Sequence, residues 1–347
     1  MSFFVGGCAI GPNNPTWIIA EISANHGGSF ERALETLRAI KNAGADAVKI
    51  QTYTPDSITL DLHQPPFVIE GTLWHGRTLH ELYAQAMTPY EWHAPLRDEA
   101  KKLGLEFFSS AFDAHAVDFL EELGVPLHKI ASFELVDLPL IEKMARTGKP
   151  LILSTGMATL GEIEEAVNAA RGAGCEELAL LWCNSAYPAP PDEMNLRSIP
   201  HLAQTFGVPV GLSDHTLGTT AATVAVALGA SIIEKHFTIS RAAGGPDAAF
   251  SLEPHEFAQM VSQVRDVEKM LGEVKYGPRE TEKVSLKFRR SLWVTQNVRK
   301  GELLTEENVG SRRPANGLSP KFWSNARGKI ARRDLTLGEP LTWEMWE

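Results

Sequence analysis

The chain is 347 residues long, with 33 Lys/Arg against 43 Asp/Glu and a formal net charge of −10. That length holds about two domains and a full apolar core. The acidic balance argues against a nucleic-acid partner or an anionic membrane surface, since both need a positive field. With 44% hydrophobic and 22% charged residues, the chain has an ordinary globular composition. Its longest uncharged stretch, Thr216 to Ile233, is too rich in Thr, Gly and Ser to span a membrane. Residues 1–15 show no secretion signal, and Cys8, Cys175 and Cys183 have no CxxC spacing, so a reduced, cytoplasmic setting is expected.

The charge is unevenly spread. Residues 275–347 carry 15 Lys/Arg against 9 Asp/Glu, whereas residues 1–274 carry 18 against 34. Such asymmetry points to two separately built parts.

Along the first part, short runs of apolar and β-branched residues recur: Trp17–Ile22, Ala47–Gln51, Leu105–Ser109, His128–Ser132, Leu151–Ser154, Leu178–Cys183, Val210–Ser213 and Ser231–His236. Between them lie amphipathic stretches such as Phe30–Ala43, Pro89–Leu103, Ala114–Leu123, Leu138–Thr147 and Leu160–Ala173. Glycines at 44, 104, 124, 148, 174 and 229 stand where helices should end. Strands alternating with crossover helices require a parallel sheet, and eight such units predict a TIM (β/α)8 barrel. A doubly wound open sheet is the alternative, but the first loop lacks GxGxxG. The catalytic barrel is expected over 1–272 and a linker over 273–287. A small β-rich domain over 288–347 should follow, with strands at Ser291–Thr295 and Lys329–Ala331.

In a TIM barrel the working residues sit where strands end and βα loops begin. Here those positions carry Glu21, Lys49 with Gln51, Ser110, Lys129 with Ser132 and Glu134, Ser154, Cys183 through Tyr187, Ser213 with His215, and Glu234 with His236. A lysine within a strand must be paired or face a polar cavity, because burying a bare ammonium is costly. Two of them, ringed by serines at neighbouring strand ends, predict an anion such as a phosphate between them. His215 and His236 follow neighbouring strands and could share a metal. Imidazole with oxygen ligands suits Mn²⁺, Co²⁺, Mg²⁺ or Zn²⁺, and the sequence does not choose among them.

The segments IAEISANHGG (19–28), GADAVKIQTYTPDSITLD (44–61), KIASFELVDLPLI (129–141), LSTGMAT (153–159), AYPAPPDEMNLR (186–197), GLSDHTLG (211–218), EKHFT (234–238) and GPDAAFSLEP (245–254) resemble the sialic acid synthase family. FRRSLWV (288–294) and RRPANG (312–317) resemble its antifreeze-like (SAF) domain. The resemblance implies an enzyme that condenses phosphoenolpyruvate with an amino sugar to make a nonulosonic acid. Segments 78–93 and 245–254 are most similar to the branch making pseudaminic acid from 2,4-diacetamido-2,4,6-trideoxy-L-altrose. The N-acetylneuraminate and N,N'-diacetyllegionaminate branches are near alternatives.

The resemblance further implies that Lys49, Ser110, Lys129, Ser132, Ser154 and Ser213 hold phosphoenolpyruvate, and that His215 and His236 bind a divalent cation (Mn²⁺, Co²⁺ or Mg²⁺). Glu21, Gln51, Glu134, Tyr187 and Asp247 would contact the sugar, with Glu21, Glu134 or Asp247 as general base. Arg313 would reach the sugar from the other subunit of a domain-swapped homodimer. Ser185 after Asn184, and the whole of residues 66–76, depart from the neuraminate pattern where the sugar's substituents would lie. Two rivals from other classes remain: a Schiff-base aldolase using Lys129 or Lys49, and a non-catalytic carbohydrate-binding protein.

Overall fold

The computed structural model describes residues 2–347. The chain forms two compact units, residues 1–272 and 273–347.

The first unit opens with a hairpin of β1 (Phe3–Val5) and β2 (Cys8–Ile10). Eight parallel strands follow: β3 (Trp17–Glu21), β4 (Ala47–Thr52), β5 (Glu106–Ala111), β6 (His128–Ile130), β7 (Leu151–Ser154), β8 (Leu178–Cys183), β9 (Val210–Asp214) and β10 (Ile232–His236). Adjacent strands pair in chain order, and β10 closes on β3, so the sheet is the expected barrel and the open-sheet alternative is excluded. The six glycines expected to end helices all have positive φ. Gly104, for example, takes a left-handed conformation at φ 67 and accepts no Cβ penalty there.

Side chains two apart on a strand share a face, and the inward face is sorted by height. Its lower part is apolar: Trp17, Ile19, Ala47, Phe108, Leu127, Ile152, Ala179, Leu181 and Ile232 pack into one cluster with Phe3, Val5 and Ile10 of the hairpin. Gly211 belongs to this layer because a Cβ there would collide with the carbonyl of Ile232 and the side chain of Leu181. One step up the same strands the residues become polar: Glu21, Lys49, Ser110, Lys129, Ser154, Ser213 and Glu234, all buried. The outward faces pack against the helices in a second, larger apolar cluster.

In the second unit β11 (Ser291–Val294) pairs antiparallel with β12 (Val309–Arg312), over a core of residues such as Leu292, Val298, Leu304, Leu335 and Trp346. The strand expected at Lys329–Ala331 is not a strand. Ile330 bridges Leu303, and Ala331 bridges Trp346. The backbone of Ile330 exchanges both its hydrogen bonds with Glu347. Consecutive residues thus turn to different partners, and no ladder propagates. Among the described residues, no helix is long and apolar enough to cross a membrane.

Candidate active site

Parallel pairing sets Lys49 beside Glu21 and Ser110 beside Lys129. The ammonium of Lys49 lies 2.6 Å from Glu21 Oε2 and 3.2 Å from Glu234 Oε1, and donates to Ser110 Oγ at 3.2 Å. Ser213 Oγ donates to the same Glu234 oxygen at 3.2 Å. Lys49 is therefore paired within the protein. Of the two lysines expected to need an external anion, only Lys129 lacks an ion pair among the described residues.

Lys129 Nζ donates to Ser154 Oγ at 2.6 Å and to the Ile130 carbonyl at 2.7 Å, both neutral acceptors. Among the described residues it forms no ion pair. Burial brings its ammonium down to about 8, against the attraction of Glu234 and with the repulsion of Lys49 adding to the fall. Such a group gains strongly from an incoming anion.

The carboxylates divide by environment. Burial pushes Glu21 up to about 7; Lys49 opposes the rise and Glu234 adds to it. Both carboxylates hold Lys49 firmly protonated against its own burial. Glu134 follows β6 in a short 3-10 turn, Ser132–Glu134. Its Oε2 is buried without a partner, and burial raises it to about 7. Ser132 Oγ accepts the backbone N–H of Gly156 at 3.1 Å. A Cβ on Gly156 would collide with the hydroxyls of Ser185 and Ser132, so this residue leaves room only for backbone.

His215 and His236 stand with ring centroids 5.4 Å apart. His215 Nδ1 donates to the Asn184 carbonyl at 2.8 Å, which leaves its Nε2 to face outward. His236 Nδ1 is buried without a hydrogen-bond partner, 3.9 Å from Asp247 Oδ2. Asp247 is buried and accepts the backbone N–H of Ala24 at 3.3 Å. Tyr187 packs on His215 at 4.4 Å and on Phe250 at 5.1 Å. Gln51, half-buried, sits opposite Ser110 in register. Arg313 belongs to the second unit, where it is exposed just past β12.

Three features escaped the sequence. Cys183 Sγ lies 3.7 Å from His215 Nδ1. Glu234 links Lys49 to Ser213. A third buried lysine, Lys235, pairs with Asp214 at 2.8 Å and also donates to the Thr216 carbonyl. Alternation offered a signal for the last: Lys235 lies between Glu234 and His236 and so faces away from the lumen. With its Oδ1 accepting the Thr216 N–H, Asp214 braces the chain on either side of His215.

A closed barrel whose mouth combines a bare buried ammonium, unpartnered carboxylate oxygens and paired imidazoles is the architecture of a barrel enzyme acting on anionic substrates. Residues 36–276 match the NeuB family and residues 289–347 the SAF domain; the chain belongs to the NeuB family. It is 47% identical over 330 residues to the pseudaminic acid synthase of Helicobacter pylori, covering 94% of this chain and 97% of that one. A pseudaminic acid synthase of Campylobacter jejuni is 45% identical over 325 residues, covering 94% and 95%. A solved N-acetylneuraminic acid (sialic acid) synthetase of Leptospira borgpetersenii in complex with citrate superposes with a TM-score of 0.74 at 33% identity. That match covers 82% of this chain and 95% of the other.

Proposed function

We propose that this enzyme condenses phosphoenolpyruvate with 2,4-diacetamido-2,4,6-trideoxy-L-altrose, releasing pseudaminic acid and inorganic phosphate. The observation that carries the reading is Lys129, a buried ammonium hydrogen-bonded only to neutral acceptors, in a barrel whose strand ends also carry two neighbouring imidazoles. Full-length kinship to pseudaminic acid synthases supports the choice of sugar.

In this reading Lys129, with Ser154, takes the phosphate or carboxylate of phosphoenolpyruvate, while Ser132 and Gly156 N–H line its neighbourhood. Lys49, Ser110 and Ser213 complete the cradle, with Glu21 and Glu234 fixing the orientation of Lys49. Fixing the enolpyruvate in one pose converts the condensation into an effectively intramolecular step. The enol carbon forms the new C–C bond to the open-chain sugar's aldehyde carbon. Water then adds to the cationic carbon left behind, and the C–O bond to phosphate breaks.

Glu134, with a free buried oxygen and an affinity for protons near neutrality, is the base we assign to that water. Asp247, Tyr187 and Gln51 face the sugar. His215 and His236, each with a ring nitrogen free of hydrogen bonds, would hold a divalent cation (Mn²⁺, Co²⁺ or Mg²⁺), with substrate oxygens as its further ligands. When bound, that cation supplies Lewis-acid polarisation of the aldehyde oxygen. A cytoplasmic, domain-swapped homodimer, with Arg313 contributed to the other subunit's sugar site, completes the proposal. It requires a particle of twice the chain mass.

Mass spectrometry of products tests the reading, with phosphoenolpyruvate offered alongside the altrose derivative, N-acetylmannosamine or 2,4-diacetamido-2,4,6-trideoxymannose. Product from the altrose derivative, with release of phosphate, is expected. Reaction with N-acetylmannosamine alone would replace the substrate and keep the reaction class. A substrate adduct trapped by borohydride would favour the Schiff-base aldolase instead.

A further inference from the structure

Between β4 and the helix Tyr90–Leu103 the chain spends nearly forty residues, far more than a barrel loop requires. Part of this segment is a narrow arch. Val68 bridges Thr78 antiparallel, Ile69 N–H donates to the Arg77 carbonyl at 2.8 Å, and Leu79 N–H donates to the Phe67 carbonyl at 2.9 Å. Trp74 sits at the arch's tip. Its indole N–H donates to the Pro246 carbonyl at 3.1 Å, and its ring lies 5.8 Å from that of Tyr187.

The direction of this reach matters. In the ring of eight strands β4 and β8 are diametrically opposite. Trp74 rises from the end of β4, yet it meets Tyr187 beyond β8 and Pro246 beyond β10. It therefore reaches the loops beyond β8 and β10.

Through Tyr187 it adjoins the imidazoles. Tyr187 packs on His215, and Phe250 lies 5.0 Å from His236. A molecule reaching the imidazoles thus passes between aromatic faces, with the phosphate-gripping lysines below. Such a wall suits methyl groups rather than a hydroxymethyl arm. Pro246 also immediately precedes Asp247, so the indole bond tethers the segment that presents this carboxylate.

Resting on the function proposed above, we propose that Trp74 is a specificity-determining residue. Its ring closes the sugar side of the mouth over the substrate's C6 methyl and acetamido methyl groups, and its indole N–H holds the Asp247 segment in place. Trp74→Ala and Trp74→Phe test the two parts separately, with each of the three sugars varied at saturating phosphoenolpyruvate and the reverse.

Trp74→Ala should raise KM for the preferred sugar about 10- to 100-fold. It should leave KM for phosphoenolpyruvate within about twofold and shrink the preference over N-acetylmannosamine by a similar factor. Trp74→Phe keeps the ring without the N–H; it should retain the preference and lower kcat. Equal changes in both KM values, or an unchanged preference in Trp74→Ala, would overturn the proposal. Should the wild type use another of the three sugars, the substrate assignment fails, and Trp74 is judged by the same KM split on that sugar. Titration of each sugar into chelated protein holding phosphoenolpyruvate gives the comparison without turnover.

Discussion

Lys129 and Ser154 meet across neighbouring strands at 2.6 Å, and this contact between an ammonium and a neutral hydroxyl is the least compensated charge in the barrel's polar layer. Its neighbour Lys49 sits between two carboxylates. The pair of lysines is thus asymmetric: one is held in place, and the other awaits a counter-ion.

That asymmetry has a stability signature. The unfolded lysine titrates near 10.5 and the folded one near 8, so below pH 8 both states carry the proton and the native state bears a cost of roughly 3 kcal/mol. As pH rises from 8 towards 10.5 the native state sheds the proton first, and the cost fades. Lys129→Met should abolish activity yet melt roughly 5 °C higher at pH 7. The gap should narrow by pH 10 in thermal denaturation followed by circular dichroism. A variant less stable than wild type at pH 7 would show that Lys129 has a compensating partner.

Activity should trace a bell. Glu134 must lose its proton to act as a base, which makes kcat/KM rise through about 7; Lys129 must keep its own, which makes kcat/KM for phosphoenolpyruvate fall above about 8. Glu134→Gln should cut kcat by about 10²- to 10³-fold and flatten the acidic limb. Lys129→Arg, if active, should lose the alkaline one. pH–rate profiles of the three proteins decide the assignment.

Chelation should silence the enzyme, and Mn²⁺, Co²⁺ or Mg²⁺ should restore it. His236→Ala should retain less metal by elemental analysis and lose at least about 10²-fold in kcat, with its circular dichroism unchanged. Full activity after exhaustive chelation would remove the metal from the mechanism.

Gly156→Ala probes the crowded floor between Ser132 and Ser185. The added methyl has nowhere to go without displacing both hydroxyls. We expect KM for phosphoenolpyruvate to rise about tenfold or more, with KM for the sugar changed far less. Steady-state kinetics with each substrate varied in turn will show the split.

The barrel was legible because the strands are short apolar runs ended by polar residues, and six of the helices between them run into a glycine of positive φ. Lys49 and Lys129 stood out for the same reason, as charges in apolar surroundings. Their partners did not. Glu234 reaches Lys49 only because β10 closes on β3, a contact between residues nearly two hundred positions apart. Chain order alone ranks Glu21, Glu134 and Asp247 equally as bases. Their surroundings differ: Glu21 is ion-paired to Lys49, whereas Glu134 has no such partner among the described residues, and both keep a buried oxygen without a hydrogen bond. Residues 66–76 stood out only as a departure from the neuraminate pattern; that Trp74 within them meets Tyr187 and Pro246 follows from where the arch lands.

The amino-terminal hairpin has a kinetic consequence. By sealing the foot of the cylinder with Phe3, Val5 and Ile10, it makes the reaction chamber a cul-de-sac. Both reactants enter, and both products leave, through a single doorway. On the proposed reading phosphoenolpyruvate, held at Lys129, is the deeper ligand and enters first, and its phosphate leaves last; inorganic phosphate should therefore compete with phosphoenolpyruvate in product-inhibition kinetics.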